Sequence, residues 1–129
     1  AKPDYKEFER AVYDVVAAVP PGRVTSYGAI ARALGYPLHA RLVGRAMGRC
    51  DDPAVPAHRV ADSRGRLSGR HAFGDPHRMG DRLEAEGVRV VCDRVVDWRR
   101  VFWDPLDEFD SEGAGIRSLP KSPYPAARW

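Results

Sequence analysis

The chain is poor in cysteine, with only Cys50 and Cys92 among 129 residues. Two thiols are too few for a disulfide scaffold, and their placement does not match a zinc site. Long hydrophobic runs are absent too. No apolar stretch approaches the roughly 18 residues that a membrane span requires. Ala1-Lys2-Pro3-Asp4 carries no apolar signal region, so nothing argues for secretion, and a reducing cytoplasm is the expected location. Net charge is small, at +3. What is present suffices for folding: 43 % of residues are apolar, enough for one domain with one modest core.

The charge is unevenly placed. Between Arg41 and Arg70 stand seven arginines, Arg41, Arg45, Arg49, Arg59, Arg64, Arg66 and Arg70, against Asp51, Asp52 and Asp62. From Asp104 to Glu112 there are five acids and no base. A basic middle beside an acidic tail suggests a polyanion on one face. The excess contains no lysine, and arginine offers a planar fork that stacks on bases. A plain solvated face explains the same composition equally well.

Periodicity orders the chain. Phe8, Val12, Val15, Val16 and Val19 recur at helical spacing, so 4–19 is an expected helix, stopped by Pro20-Pro21-Gly22. Thr25 or Ser26 caps a second helix from Tyr27 to about Leu34, with Gly35 as its stop. A third is expected over 39–48, burying Leu42, Val43, Ala46 and Met47. Two short helices joined by a tight turn read as a helix-turn-helix. Residues 51–56 are a loop, 58–60 enter an extended segment, 62–65 turn, and 66–70 continue outward like the wing of a winged helix. A helix over 77–86 ends at Gly87. Residues 88–92 and 99–103, rich in Val, Phe and Trp, are expected to pair as a hairpin. The predicted fold is mainly α, a winged helix-turn-helix with a small β-hairpin, over 1–103. Residues 104–129 form an acidic and then Pro-rich tail, packed on the same domain or partly irregular.

Four segments are more specific. They are Gly22-Arg23-Val24-Thr25-Ser26-Tyr27-Gly28-Ala29-Ile30-Ala31, Ala40-Arg41-Leu42-Val43-Gly44-Arg45-Ala46-Met47, Val55-Pro56-Ala57-His58-Arg59-Val60 and Leu83-Glu84-Ala85-Glu86-Gly87. In order, they resemble the DNA-binding domain of the O6-alkylguanine-DNA alkyltransferases, over roughly Phe8 to Val91. That family's active-site signature is Pro-Cys-His-Arg-Val, and here Ala57 stands at the cysteine. Alkyl transfer is a displacement by a thiolate, and a methyl side chain has no lone pair to attack with. Loss of this cysteine, usually to tryptophan and sometimes to alanine, marks the alkyltransferase-like proteins, in which lesion binding survives and the complex passes to nucleotide excision repair.

The resemblance implies roles. His58 and Glu86 correspond to the pair that activates the cysteine and are expected to persist as a structural hydrogen-bonded pair, with Glu84 as the alternative acid. Tyr27 corresponds to the tyrosine that rotates the phosphate beside the lesion, and Arg41 to the arginine that fills the vacated stack, on a helix placed in the minor groove. Filling that gap recovers part of a few kcal/mol of unstacking. Arg45, Arg49 and Arg59 are candidate phosphate contacts. Tyr27, Pro56, Ala57, Ser68 and Arg70 are the expected lesion pocket, with Arg70 as a donor that senses loss of the guanine N1 proton. The implied partners are duplex DNA containing O6-alkylguanine and repair damage-recognition proteins; the expected state is a monomer, with no metal, cofactor or membrane. Two rivals remain. An active alkyltransferase would use Cys50 or Cys92. A winged-helix transcription regulator would prefer one undamaged site.

Overall fold

The computed structural model describes residues 4–107. The tail expected over 104–129 therefore lies almost wholly outside the described residues. Helix α1, Tyr5–Ala18, is capped by Asp4, whose side chain accepts the Glu7 amide, and ends as the chain enters Pro20-Pro21. It buries Phe8, Val12, Val15 and Val16, the stripe that its sequence spacing requires. Strand β1, Thr25–Ser26, leads straight into α2, Tyr27–Ala33, with Ser26 Oγ accepting the Ala29 amide as N-cap. Helix α3, Ala40–Gly48, follows a tight turn, and α2 packs on it. These three helices close the first core around Phe8, Val12, Ile30, Val43 and Ala46.

A 3₁₀ turn over Ala57–Arg59 leads into β2, Val60–Ala61, which pairs in parallel with β1 at Thr25↔Val60 and Ser26↔Ala61. Successive strand residues face opposite sides. Val60 accordingly joins the first core and Ala61 the second, which holds Val24, Leu67, Met79, Leu83, Val88, Val95 and Val101. The 57–59 turn thus sits on the seam between two cores. Helix α4, Arg78–Ala85, covers the second core with Met79 and Leu83.

Two expectations are corrected. The hairpin pairs β3, Val90–Val91, with β4, Arg94–Val95, through a turn in which Cys92 and Asp93 both adopt positive φ. Residues 99–103 are not its second strand. Trp98–Val101 form the short helix α5, and Phe102 instead bridges in parallel to Val24. The physical reason is that the Arg23 guanidinium donates to the Val101 and Phe102 carbonyls, removing them from any hairpin. Nor do residues 66–70 continue outward. Arg66 bridges Arg94, the Leu67 amide donates to the Asp93 carbonyl, and the Leu67 side chain is fully buried.

Candidate nucleic-acid interface

Helix α3 presents its outer face bare. Arg41, Arg45 and Arg49 recur every fourth residue and are exposed, and neither Arg41 nor Arg45 has an ion-pair partner among the described residues. Gly44 and Gly48 lie between them, and a side chain at either would meet nothing within 4 Å. Small residues on an open basic face permit close approach of a polyanion. Arg49 is partly held by α1: Glu9 lies 3.8 Å away, and the guanidinium sits 5.6 Å from the Tyr5 ring centroid. Tyr13, which the sequence did not single out, anchors this helix by donating from its hydroxyl to the Ala46 carbonyl at 2.6 Å.

Behind α3 lies a small cavity of about 50 Å³, lined by Tyr27, Gly44, Met47, Ala57, Gly69 and Phe73 among others. It opens on the seam between the cores, so Ala57 and Tyr27 share one space as expected residues of the pocket. Ser68 does not line the cavity but is hydrogen-bonded to the Tyr27 hydroxyl. Burial raises the Tyr27 pKa; that bond lowers it, and Asp62 raises it again. A Cβ at Gly69 would stand 2.6 Å from the Tyr27 hydroxyl oxygen, so any side chain there would force Tyr27 to shift. Gly69, Phe73 and Met79 were not foreseen as lining residues. The Ser68-Gly69 pair was the available signal for the first; the others depend on tertiary packing.

Pro56 and Arg70 are not among the residues lining that cavity. Pro56 instead borders a separate cleft with Pro53, His58, Arg59 and Arg82. Arg70 is turned to the hairpin: Nη1 donates to the Leu67 carbonyl at 3.0 Å and Nε lies 3.4 Å from the Asp93 carboxylate. Arg59, an expected phosphate contact, is turned inward. Its guanidinium donates to Glu86 at 2.7 Å and to the Val19 carbonyl at 2.8 Å, and is 15 % exposed. Held on both sides beneath the surface, it is a structural cation.

Glu86, not the exposed Glu84, forms the acid of this network. Its carboxylate accepts from His58 Nε2 at 2.8 Å, from Arg59, and from the Gly22 amide at 3.0 Å. Burial alone would raise its pKa. The hydrogen bonds from Arg59, then His58, then Gly22 outweigh that and hold the carboxyl at about 2. His58 is buried and its Nδ1 has no hydrogen-bond partner among the described residues. The arrangement that would orient a base beside a thiol is intact, and the adjacent residue is Ala57.

Neither cysteine replaces it. Cys50 and Cys92 are both absent from the cavity lining. Burial pushes the Cys50 thiol up, hydrogen bonding from the Asp52 backbone pulls it down, and the nearby carboxylates add to the rise. Cys92 sits exposed at the β3–β4 turn. Among the described residues no group of His, Cys, Asp and Glu could hold a metal, and no helix is long and apolar enough to cross a membrane.

A helix-turn-helix with a bare basic helix, backed by a seam cavity, defines a DNA-binding domain. Residues 7–88 match the family model of the 6-O-methylguanine DNA methyltransferase DNA-binding domain. The chain is 47 % identical over 104 residues to alkyltransferase-like protein 1 of Schizosaccharomyces pombe, covering 77 % of this chain and 96 % of that one. It is 36 % identical over 102 residues to a DNA base-flipping protein of Vibrio parahaemolyticus, covering 77 % and 98 %. Its fold matches crystalline S. pombe Atl1 in complex with damaged DNA containing O6-carboxymethylguanine, with a TM-score of 0.70, 40 % identity, and coverage of 76 % of this chain and 95 % of that one. The chain belongs to the alkyltransferase-like proteins, non-catalytic homologues within the O6-alkylguanine-DNA alkyltransferase family.

Proposed function

We propose that this protein binds O6-alkylguanine in duplex DNA, extrudes the nucleotide into the cavity at Ala57, and leaves the alkyl group in place. The observation that carries the reading is the pairing of an intact Glu86–His58–Arg59 network with a methyl group where a thiolate would have to stand. The names and bound lesion of its relatives support it. Arg41 fills the vacated stack, Arg45 and Arg49 track phosphates, and Tyr27 guides the nucleotide inward.

At about 50 Å³ the cavity is far below the roughly 300 Å³ of ordinary ligand pockets, so admitting a base requires its walls to move. The 3₁₀ turn Arg70–Phe73 is the wall best placed to do so. It lies between Gly69 and Gly74, carries the lining residues Ala72 and Phe73, and has no residue in the buried core. Its release brings Arg70 off Asp93 and toward the base. The protein acts as a cytoplasmic monomer and hands the intact lesion to the damage-recognition proteins of nucleotide excision repair.

Incubation with a duplex carrying O6-methylguanine, followed by intact-protein mass, tests the chemistry. The expected mass is unchanged and the lesion is recovered unaltered. A methyl adduct on Cys50 or Cys92 overturns the proposal.

A further inference from the structure

Leu38 is the most exposed large apolar side chain among the described residues, at 93 %, while the next, Val91, is 53 % exposed. A single exposed leucine is ordinary. This one stands immediately ahead of α3, three residues before Arg41, at the corner of a rigid turn. Tyr36-Pro37-Leu38-His39 closes with the His39 amide donating to the Tyr36 carbonyl at 2.9 Å, and Pro37 occupies the position whose φ it presets. The Tyr36 amide in turn donates to the Ala31 carbonyl at 2.9 Å. Edge-on aromatic contacts fix the turn from below: Phe8 to Tyr36 at 5.9 Å and Tyr36 to His39 at 5.3 Å between ring centroids. The backbone is thus held from both sides while the leucine projects into solvent, beside the bare arginine face.

We propose that Leu38 is an apolar wedge that seats against sugar and base edges in the DNA groove alongside Arg41. The inference rests on the reading that α3 docks on duplex DNA and a nucleotide is extruded. Groove-binding proteins insert Leu and similar side chains against unstacked base steps. A backbone already held at a turn loses little freedom on docking. Arg41 supplies charge and a planar filler, and Leu38 supplies apolar contact that needs no counterion release. Its contribution to binding is therefore independent of salt.

The test titrates the full chain with a duplex holding one O6-methylguanine and with its unmodified match, at several salt concentrations. Leu38→Ala is expected to weaken lesion binding about three- to tenfold. The slope of log affinity against log salt stays that of the parent, and so does the melting temperature of the free protein. Leu38→Met, equally apolar, binds within about twofold of the parent, and Leu38→Ser loses as much as Leu38→Ala. If Leu38→Ala binds the lesion as tightly as the parent, or Leu38→Ser binds as tightly as Leu38→Met, the wedge is wrong. A parent that shows no preference for the lesion sinks the functional reading itself. A parent that prefers the lesion, with Leu38→Ala unaffected, sinks the wedge alone.

Discussion

Glu86 joins the loop at Gly22 to the turn at His58 and Arg59, and through Arg59 to the end of α1 at Val19. Its low pKa links stability to acid. The folded value, about 2, lies below the ordinary carboxylate value near 4.3, so the unfolded chain takes up a proton first. The contribution is complete above about pH 4.3 and is lost as pH falls toward 2, a difference on the order of 2–3 kcal/mol. Glu86→Gln should cost roughly 1–3 kcal/mol at neutral pH, by leaving the Arg59 charge short of a partner, and should flatten stability between pH 4.3 and 2. Denaturant melts of both proteins across that range check it. If the variant keeps the parent's acid slope, Glu86 is not the group responsible.

The same scale holds the alanine. Tryptophan at position 57 would occupy room that a methyl leaves open. Filling that room with a longer alkyl chain buries apolar area, at about 25 cal/mol per Å². The ratio of affinities for O6-benzylguanine over O6-methylguanine should therefore fall in Ala57→Trp. A ratio that stays level or rises would mean that residue 57 does not set the size of the pocket.

At the scale of elements, α3 divides its arginines by what surrounds them. Arg41 and Arg45 are unpaired among the described residues, while Arg49 is drawn back toward Glu9 and Tyr5. Arg41→Ala is expected to weaken lesion binding by roughly 1–3 kcal/mol, because the vacated stack stays unfilled. Arg49→Ala should cost less, since docking must first detach it from α1. Fluorescence titration of both variants orders them; an Arg49→Ala loss exceeding that of Arg41→Ala would reverse the assignment.

This scale also shows what the sequence could disclose. Helical spacing in α1, the Ser26 cap and the turn before α3 are local, and local chemistry places them within a residue or two. Val101, Phe102 and Trp103 have strand-like composition, yet Arg23, 78 residues upstream of Val101, decides their conformation. The inward hold on Arg59 is non-local in the same way. Nothing beside it says that Glu86, 27 residues on, will claim it. Ala57, Tyr27 and the α3 arginines were legible because they lie inside contiguous motifs. Gly69 and Phe73 reach the cavity only through folding.

On the scale of the whole molecule, two small cores meet at β2, and the cavity lies at the seam they share. The basic face of α3 is built on the first core, and the wall expected to move packs on the second through Phe73. On the proposed function, docking and admission of a base would belong to different halves of one domain. Arginine contacts to phosphate release counterions, so affinity for any duplex should fall as salt rises, with log affinity linear in log salt. On the proposed function the preference for the lesion would arise inside the cavity, and it should change far less with salt.

The most direct measurement is a titration at fixed ionic strength with two duplexes identical except for one O6-methylguanine. Binding to the modified duplex should be clearly tighter in any sequence context, with that preference reduced in Tyr27→Ala. Equal affinity for the two duplexes, or tight binding to one particular undamaged sequence instead, would contradict it.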